Sequence, residues 1–443
     1  MSITPKKITY FLVVAMMAFS SLVVIQFSGR TLFLFLQIIL VFWMVAYRKK
    51  VYLCSAALPN LIIISLIGAL ASAFISDIPF SYKKAAAFMT AYEIPLYLSF
   101  CFVNNESERN DKVMKCFLKG FKITVLAQLI WVPMQYLAYH VANIDLNDLF
   151  FHRLFHFMEN ASFIRNWVYY PSGFTWHSAV IAPLFVFAFV MYKNPAIRLL
   201  IIADAAICGS STALVGVICC ACILVSFSLF DYVRTKQFLD SKKLVLTAAV
   251  ILIALGAAYA MGLLDSLADS IMYTVSRLTE GSSDASTNTH LGYYSDYFKI
   301  IKNSSWTQII FGYGYGCSGY PISEMYGLYA DHANWAVECD VVNILISRGL
   351  FGFTMYYSFL AYILIAGFRV DRKYAAIMIP IIIEGFGYNI QWEYVYMLEL
   401  VFFSLIRSKI SVFEYEGREY QWQRLLPPQL SKLVGKIQSQ QVR

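Results

Sequence analysis

Residues suited to acid–base chemistry occur close together near the end of the large segment 265–348. His332, Asn334 and Glu338 come first, and Arg348 follows a short apolar run. A histidine can accept and return a proton near neutral pH, because its ordinary pKa is about 6.5. His332 is therefore a candidate general base, although the same residue could instead cap a short helix.

Arginine side chains provide the second chemical element, a group that binds phosphate. A guanidinium grips phosphate oxygens through paired hydrogen bonds and does not lose its charge. Arg277 lies in the same segment, which carries nine acidic and four basic residues. Arg277 either contacts a pyrophosphate or forms a local salt bridge with Glu280 or Asp284, and the sequence favours neither interpretation.

A glycine-rich turn occupies positions 311–316, where Gly312 and Gly314 alternate with tyrosines. Because glycine has no side chain, it lets the backbone approach another group closely. The pattern is not a dinucleotide-binding motif, since no strand–turn–helix context surrounds it. It predicts either an ordinary loop turn or a surface that approaches a sugar or phosphate.

A smaller group of basic and aromatic residues lies in the first half of the chain. His152, Arg153, His156 and Arg165 come shortly before Tyr170. Cationic side chains beside aromatic rings suit an anionic glycolipid. The same side chains could instead extend their charged ends to lipid headgroups.

Two acidic residues, Glu93 and Asp204, lie inside apolar runs. An ionisable group in a membrane is costly, so both are candidate functional residues. Glu93 is close to Pro95, and a structural role at a helix kink is also credible.

No constellation of metal ligands is evident in the sequence. The nearest acidic pair is Glu338 and Asp340, whose side chains would diverge on a helix. We therefore expect no metal and no cofactor. Cys317 and Cys339 are the pair expected outside the cytoplasm, and their spacing leaves a disulfide open.

The composition predicts that these residues belong to a membrane protein. Of the chain, 59% is hydrophobic and 14% is charged, and the mean hydropathy is +0.60. A soluble globular protein is roughly one quarter charged, so a cytosolic enzyme, a disordered scaffold and a secreted disulfide-rich domain are excluded. Apolar runs of about 20 residues predict a polytopic, all-α integral membrane protein with about 12 transmembrane helices. The runs cover 8–28, 31–47, 51–75, 85–103, 121–139, 172–192, 197–209, 212–230, 244–264, 349–367, 374–389 and 395–406.

The distribution of positive charge predicts the orientation. With the N-terminus inside, 26 of the 35 Lys and Arg residues fall on the cytoplasmic side and nine fall outside. Positive residues near the ends of spans favour the cytoplasmic side, so both termini are expected there. The net charge of +8 then reflects anchoring in the membrane and does not indicate a nucleic-acid partner.

We expect one transmembrane domain with two larger outside loops and a basic tail. The run from Ala333 to Gly367 would be about 52 Å long as one straight helix, which exceeds a hydrocarbon core of about 30 Å. The sequence therefore predicts a short surface helix, a break at Gly349 and then a span, with His332 and Arg348 at the two ends of the surface helix. The expected regions are the domain 1–443, the outside loops 140–171 and 265–348, and the cytoplasmic tail 411–443.

Three groups of motifs follow one another along the chain. Residues 170–174 form a Gly-Phe turn that enters a span, and residues 210–214 form a serine-rich start to a helix. The third group combines the turn 311–316, His332-x-Asn334 and the glycine-flanked segment 348–352. In this order and on this topology, the motifs resemble those of the O-antigen polymerase and ligase superfamily of bacterial membrane glycosyltransferases.

The chain departs from the pattern of that family at basic positions. Ser211 and Thr212 stand where an arginine often precedes the eighth span, and His290 stands where many members carry an arginine. The role of binding pyrophosphate is therefore assigned here to Arg277 and Arg348.

The resemblance implies metal-independent glycosyl transfer at the periplasmic face of the bacterial inner membrane. The expected donor is a glycan on undecaprenyl pyrophosphate, and the acceptor is a sugar hydroxyl of an incoming lipid-linked repeat unit. His332 would take the hydroxyl proton, with Glu338 orienting it. The expected partners are this lipid-linked oligosaccharide, membrane lipids and a chain-length regulator protein. The expected substrate-binding residues are Arg153, Arg165, Tyr170, Gly312, Gly314, Asn334 and Glu338.

Two alternatives use a similar architecture. A ligase would transfer the finished glycan to lipid A–core with the same parts, and the aromatic-rich loops and motif match favour the polymerase. A lipid-linked oligosaccharide flippase would carry many intramembrane charges and repeated halves. The sequence shows few such charges and no internal repeat.

Overall fold

A computed structural model of the chain describes most of the elements predicted from the sequence. The described residues are 5–27, 30–47, 57–74, 78, 93–103, 107–157, 164–165, 168–175, 177–235, 285–327, 337–391 and 393–406. About 80% of the structure is helical and strands are few, so the fold is all-α.

The helices vary widely in length. In chain order they are α1 (Pro5–Phe19), α2 (Leu32–Tyr47), α3 (Ala57–Phe74), α4 (Ile94–Val103), α5 (Ser107–Ala142), α6 (Ala182–Met191), α7 (Pro195–Ile207), α8 (Ser211–Thr235), α9 (Ala285–Asn303), α10 (Trp306–Phe311), α11 (Gly319–Met325), α12 (Asp340–Val370), α13 (Arg372–Glu384) and α14 (Tyr394–Ile406). A π-helix covers Asp148–Leu154 and a 3₁₀-helix covers Ser178–Ile181. Two short antiparallel hairpins pair β1 (Gln26–Phe27) with β2 (Arg30–Thr31) and β3 (Ile164–Arg165) with β4 (Val168–Tyr169).

Within the described residues, one helix is both long and apolar enough to cross a membrane. This helix is α12, with 31 residues, and several further apolar helices are 10–17 residues long. A polytopic arrangement thus remains a prediction. The run predicted at 244–264 and the tail 411–443 lie outside the described residues.

The break predicted inside the long apolar run is present at Gly349. Its φ of 65° and ψ of −171° interrupt the helical backbone of α12. This combination is reached almost only by glycine, because a Cβ atom would clash there. The helical part before the break begins at Asp340, whereas the sequence suggested a start near Ala333, which lies outside the described residues.

A layer of aromatic side chains forms the centre of the packing. Helix α1 packs along α5, and α6 packs against α8. Phe121 and Phe187 lie 4.4 Å apart between ring centroids, and Phe117 and Phe402 lie 5.0 Å apart. These pairs join helices from distant parts of the chain into one apolar core.

Large apolar side chains also remain exposed on the outer surface of several helices. Phe11 is 67% exposed, Phe42 is 71% exposed and Phe74 is 83% exposed. Apolar surface of this kind marks a region that contacts something other than water.

The helix ends that are predicted to lie outside the membrane are in contact with one another. The backbone N–H of Val24 donates to the carbonyl of Phe174 at 3.0 Å, which joins the predicted outer ends of the first and sixth spans. The ring of His177 lies parallel to the ring of Tyr388, with centroids 6.2 Å apart. We refer to the end of the molecule that contains these four residues as the outer end.

Candidate functional site

The Arg348 network is a group of buried polar side chains around the last residue before the break in α12. Arg348 is only 5% exposed. Its guanidinium carbon lies 4.1 Å from the ring centroid of Tyr315, and one nitrogen lies 4.0 Å from a carboxylate oxygen of Glu93. The same nitrogen donates to the side-chain oxygen of Gln391 at 3.1 Å. The positive charge is therefore neutralised inside the protein.

Glu93 is the centre of the anionic half of this network. Its carboxylate accepts hydrogen bonds from the hydroxyls of Ser65 and Tyr315, in addition to facing Arg348. The side chain is 5% exposed, so the four groups form a closed unit. The structure thus gives Glu93 a definite partner, which the sequence could not.

The glycine-rich turn lies directly on the break in α12. The N–H of Tyr313 donates to the carbonyl of Ile346 at 2.7 Å, and the N–H of Gly314 donates to the carbonyl of Ser347 at 3.1 Å. Gly314 has a φ of 123°. The backbone of this turn therefore approaches the helix of its own chain closely.

Gly312 and Gly349 make this close approach possible. A Cβ atom on Gly312 would lie 2.4 Å from the backbone nitrogen of Arg348. A Cβ atom on Gly349 would lie 2.3 Å from the carbonyl oxygen of Ile310. The two glycines allow the turn and the helix break to interlock, and the interlock carries Tyr315 onto Arg348.

The space left inside the Arg348 network is very small. A cavity of about 10 Å³ is lined by Ser65, Glu93 and Arg348 together with neighbouring apolar and aromatic side chains. Such a volume holds roughly one water molecule. A pyrophosphate does not fit beside Arg348 in this arrangement.

A chain of hydrogen bonds connects Arg348 to the outer end. Gln391 accepts from Arg348 through its side-chain oxygen and donates to the Oδ1 atom of Asp340 through Nε2 at 3.1 Å. Its backbone N–H also donates to Asp340 at 3.3 Å. Gln391 therefore fixes the first residue of α12 relative to the turn between α13 and α14.

The outer cluster consists of His177, Glu338, Tyr388 and Glu393, with Asp340 behind them. The imidazole of His177 is parallel to the Tyr388 ring, and Glu338, Asp340 and Glu393 all act electrostatically on the Tyr388 hydroxyl. Glu338 is exposed, and His177, Tyr388 and Glu393 are half-buried.

The environment of Glu393 suits it to accept a proton. Burial, followed by the nearby charge of Asp340, raises the pKa of Glu393 to about 8. A carboxylate with a raised pKa is a stronger base than an ordinary glutamate and is partly ionised near neutral pH. Together with the imidazole of His177, it gives the outer cluster two groups that could take a proton from a hydroxyl.

A second group of residues holds the Gly-Phe turn at 170–174. The backbone N–H of Gly173 donates to Gln135 at 2.8 Å, and that of Phe174 donates to Gln128 at 2.9 Å. Asn147 donates to the carbonyl of Gly173 at 2.9 Å. Three amide side chains thus fix this turn at the outer end.

Arg153 and Tyr170 lie in this second region rather than at the outer cluster. Arg153 is on the π-helix, and its Nε lies 2.7 Å from Asp148, which also bonds to Nδ1 of His152 at 2.7 Å. Tyr170 is 2% exposed, and a Cβ atom on Gly209 would touch its ring at 2.2 Å. Arg153 is accessible to a ligand, whereas Tyr170 is packed inside.

The predicted site residues are therefore brought together only in part. Arg348, Gly312 and Gly314 meet at the helix break, whereas Glu338 belongs to the outer cluster near Tyr388. Arg277, His332 and Asn334 lie outside the described residues. Arg165 pairs with Val168 in the second hairpin, and its side chain lies outside the described part of the chain.

Sequence reasoning missed four residues of the outer end. His177, Tyr388, Gln391 and Glu393 carry no motif of their own and become neighbours only through folding. The sequence offered only a weak signal for these residues, since His177 and Glu393 lie near the ends of apolar runs. Cys317 and Cys339 are both buried free thiols, so the disulfide that the spacing left open is not formed.

No protein-family model matches the chain, and no curated protein matches it.

Proposed function

We propose that this protein is an O-antigen polymerase that joins undecaprenyl-pyrophosphate-linked repeat units at the periplasmic face of the inner membrane. The observation that carries the proposal is the outer cluster, where Glu393 and His177 are half-buried and carry groups that can accept a proton. Glycosyl transfer to a sugar hydroxyl needs such a base. The motif resemblance at the Gly-Phe turn and the glycine-rich turn supports the same assignment.

A polytopic membrane location is part of this proposal. The exposed apolar side chains on α1, α2 and α3 suit contact with lipid chains, and the low charged fraction suits burial in a bilayer. Contacts at the outer end join segments that the charge distribution predicts to lie outside, as between Val24 and Phe174. The proposed location is the bacterial inner membrane with both termini in the cytoplasm.

The proposed reaction is a displacement at the anomeric carbon of the donor glycan. The acceptor hydroxyl oxygen forms the new bond, the bond from the anomeric carbon to the lipid pyrophosphate breaks, and the pyrophosphate leaves with the electron pair. The hydroxyl proton passes to Glu393 or His177. His332 remains a further candidate base, and Arg277 remains the candidate for the leaving pyrophosphate.

Arg348 has a different part in this proposal from the one that its sequence position suggests. Its charge is already matched by Glu93, and the adjoining cavity holds about one water molecule. We therefore assign Arg348 the role of a positioning residue, which fixes Gln391 and through it Asp340, whose charge acts on Glu393.

Deletion of the gene that encodes this protein tests the proposed polymerase function. The surface polysaccharide is separated on a gel, and lipid-linked intermediates are extracted in parallel. Core carrying a single repeat unit supports the polymerase. Bare core with long lipid-linked polymer would indicate a ligase, and single repeats retained on the cytoplasmic side would indicate a flippase.

Substitution of Glu393 tests the site. In membrane vesicles supplied with lipid-linked repeat units, we expect Glu393→Gln to lower the transfer rate by about 10²–10⁴-fold, the usual contribution of a general base. The wild-type rate should rise with pH up to about 8, because the base acts only when ionised. Glu324→Gln is the matched control, since Glu324 is an exposed acid elsewhere in the large loop. Normal transfer by Glu393→Gln would exclude this residue as the base.

A further inference from the structure

Two buried carboxylates lie away from the outer cluster and belong to no part of the proposed reaction. Glu384 is the last residue of α13 and is 5% exposed, and Glu399 on α14 is 0% exposed. Among the described residues, none of their four carboxylate oxygens has a hydrogen-bond partner. Glu384 is near enough to act electrostatically on Glu399.

Such a pair is unstable unless something compensates its charge. Moving an ionised carboxylate out of water without a partner is very costly, and two of them repel each other as well. Within the part of the chain that the structure describes, no positively charged side chain acts on Glu384. The described residues supply no compensating charge, whereas a bound cation or a proton would supply it.

A cleft adjoins Glu384. It has a volume of about 190 Å³ and runs between α8 and α13, where Thr212, Gly216 and Cys219 face Pro380 and Glu384. The volume is well above the space that one water molecule needs, and Glu384 brings two unpartnered oxygens to its wall. The cleft is large enough to hold a small ion next to the Glu384 carboxylate.

Gly216 shapes the site from the opposite helix. A Cβ atom at this position would lie 2.3 Å from a carboxylate oxygen of Glu384 and 2.7 Å from a methyl group of Val186. The carboxylate thus occupies the space that any larger residue would fill. The absence of a side chain at Gly216 is what lets Glu384 turn toward α8.

We propose that Glu384, with Glu399 behind it, is a binding site for a monovalent cation, either H⁺ or Na⁺, in the interior of the helical bundle. The other titratable groups that face the pair are the thiols of Cys219 and Cys220 on α8, and Cys220 donates to the carbonyl of Ala376 at 2.9 Å. Asp340 lies on the far side of Gly385. This site is independent of the glycosyl-transfer proposal.

Labelling with dicyclohexylcarbodiimide tests the proposal, because this reagent modifies carboxyl groups only in their protonated form. The full-length protein in membrane vesicles is treated over a range of pH and then digested for mass spectrometry. We expect an adduct on Glu384 in preference to Glu399, which does not line the cleft. Above the pKa of the site, labelling should fall about tenfold for each pH unit.

The same experiment separates the two ions. If Na⁺ occupies the site, added NaCl protects Glu384 from labelling at fixed pH, whereas choline chloride does not. If H⁺ occupies it, labelling follows pH alone. Either pattern supports the site.

Two glycine variants provide the matched comparison. Gly216→Ala should move the carboxylate and strongly reduce labelling of Glu384, because the new methyl group takes its place. Gly292→Ala should leave labelling unchanged, since a Cβ atom there meets nothing within 4 Å.

A second measurement covers the case in which the reagent cannot reach Glu384. The unfolding temperature of the wild-type protein is followed against pH and NaCl and compared with that of Glu384→Gln. The site predicts a dependence on pH or Na⁺ that the variant loses. If Glu384 is not labelled and the two proteins respond identically to both variables, the proposal is overturned.

Discussion

Arg348 and Glu384 are both charged side chains that are 5% exposed, yet their surroundings are opposite. Arg348 has a carboxylate, an amide oxygen and an aromatic ring within contact distance. Glu384 has no hydrogen-bond partner among the described residues and lines a cleft instead. Burial alone therefore does not say what a charged residue does.

The difference lies in what each charge needs from outside the protein. The charge of Arg348 is matched by Glu93 inside the protein, although its Nε atom has no hydrogen-bond partner among the described residues. The network therefore stabilises one arrangement of the turn, α12 and Gln391 without any ligand. Glu384 has no hydrogen-bond partner or countercharge among the described residues, so its charge state depends on whether a proton or cation binds in the cleft. Removal of the two side chains should consequently change stability in opposite directions.

The largest effect is expected for Arg348→Met. This change leaves Glu93 buried without a countercharge, which typically costs about 3–5 kcal/mol. Thermal or urea unfolding of the purified protein in detergent would measure the loss. The double variant Arg348→Met with Glu93→Gln should recover most of it, because no uncompensated charge remains. Equal stability of the single and double variants would contradict the ion pair.

A smaller loss is expected for Gly349→Ala. Alanine at this backbone conformation costs about 1–3 kcal/mol, and its Cβ atom would also press against the carbonyl of Ile310. Gly292→Ala is the control, and it should be neutral or slightly stabilising because its surroundings are open. Unfolding curves measured side by side would distinguish strain at Gly349 from a general effect of adding a methyl group.

The opposite sign is expected for Glu384→Met. An apolar side chain of similar length removes a buried group that has no partner, and it should stabilise the protein by about 1–3 kcal/mol. The same unfolding assay applies, at low Na⁺ and neutral pH. Destabilisation of similar size would mean that the carboxyl has a partner.

The smallest effect is expected at Asp148, which contacts charged groups at the surface. Its partners His152 and Arg153 have side chains that are 41% and 72% exposed. Exposed ion pairs usually contribute about 0–1 kcal/mol. Asp148→Asn should therefore shift the unfolding free energy by less than about 1 kcal/mol. A loss as large as that of Arg348→Met would show that exposure is not what separates the two cases.

Local features of the chain could be predicted from the sequence. The break at Gly349 followed from the length of one apolar run compared with the thickness of a membrane. The helical class followed from composition. Both inferences depend on the hydrophobicity and identity of residues that are adjacent in the chain, which can be read from the sequence.

Features that depend on distant contacts could not be predicted. Arg348 was expected to face a phosphate at the membrane surface, but its guanidinium faces the carboxylate of Glu93, which directly precedes α4. His177 and Tyr388 are distant in sequence but stack in the fold, and no sequence pattern around either residue predicts this contact. The glycine-rich turn was expected either to be a simple turn or to approach a ligand, and its close contact is with α12.

The interlock of Gly312 and Gly349 has a consequence for how this sequence can change over time. Each glycine makes room for the backbone around the other, since a Cβ atom on Gly349 would also lie 2.6 Å from the nitrogen of Gly312. Loss of either one pushes the turn away from the helix, and a second substitution then meets a contact that has already opened. Mutations at touching positions of this kind are non-additive. The first substitution therefore causes most of the loss of stability, and we expect single substitutions at either position to be disfavoured during evolution.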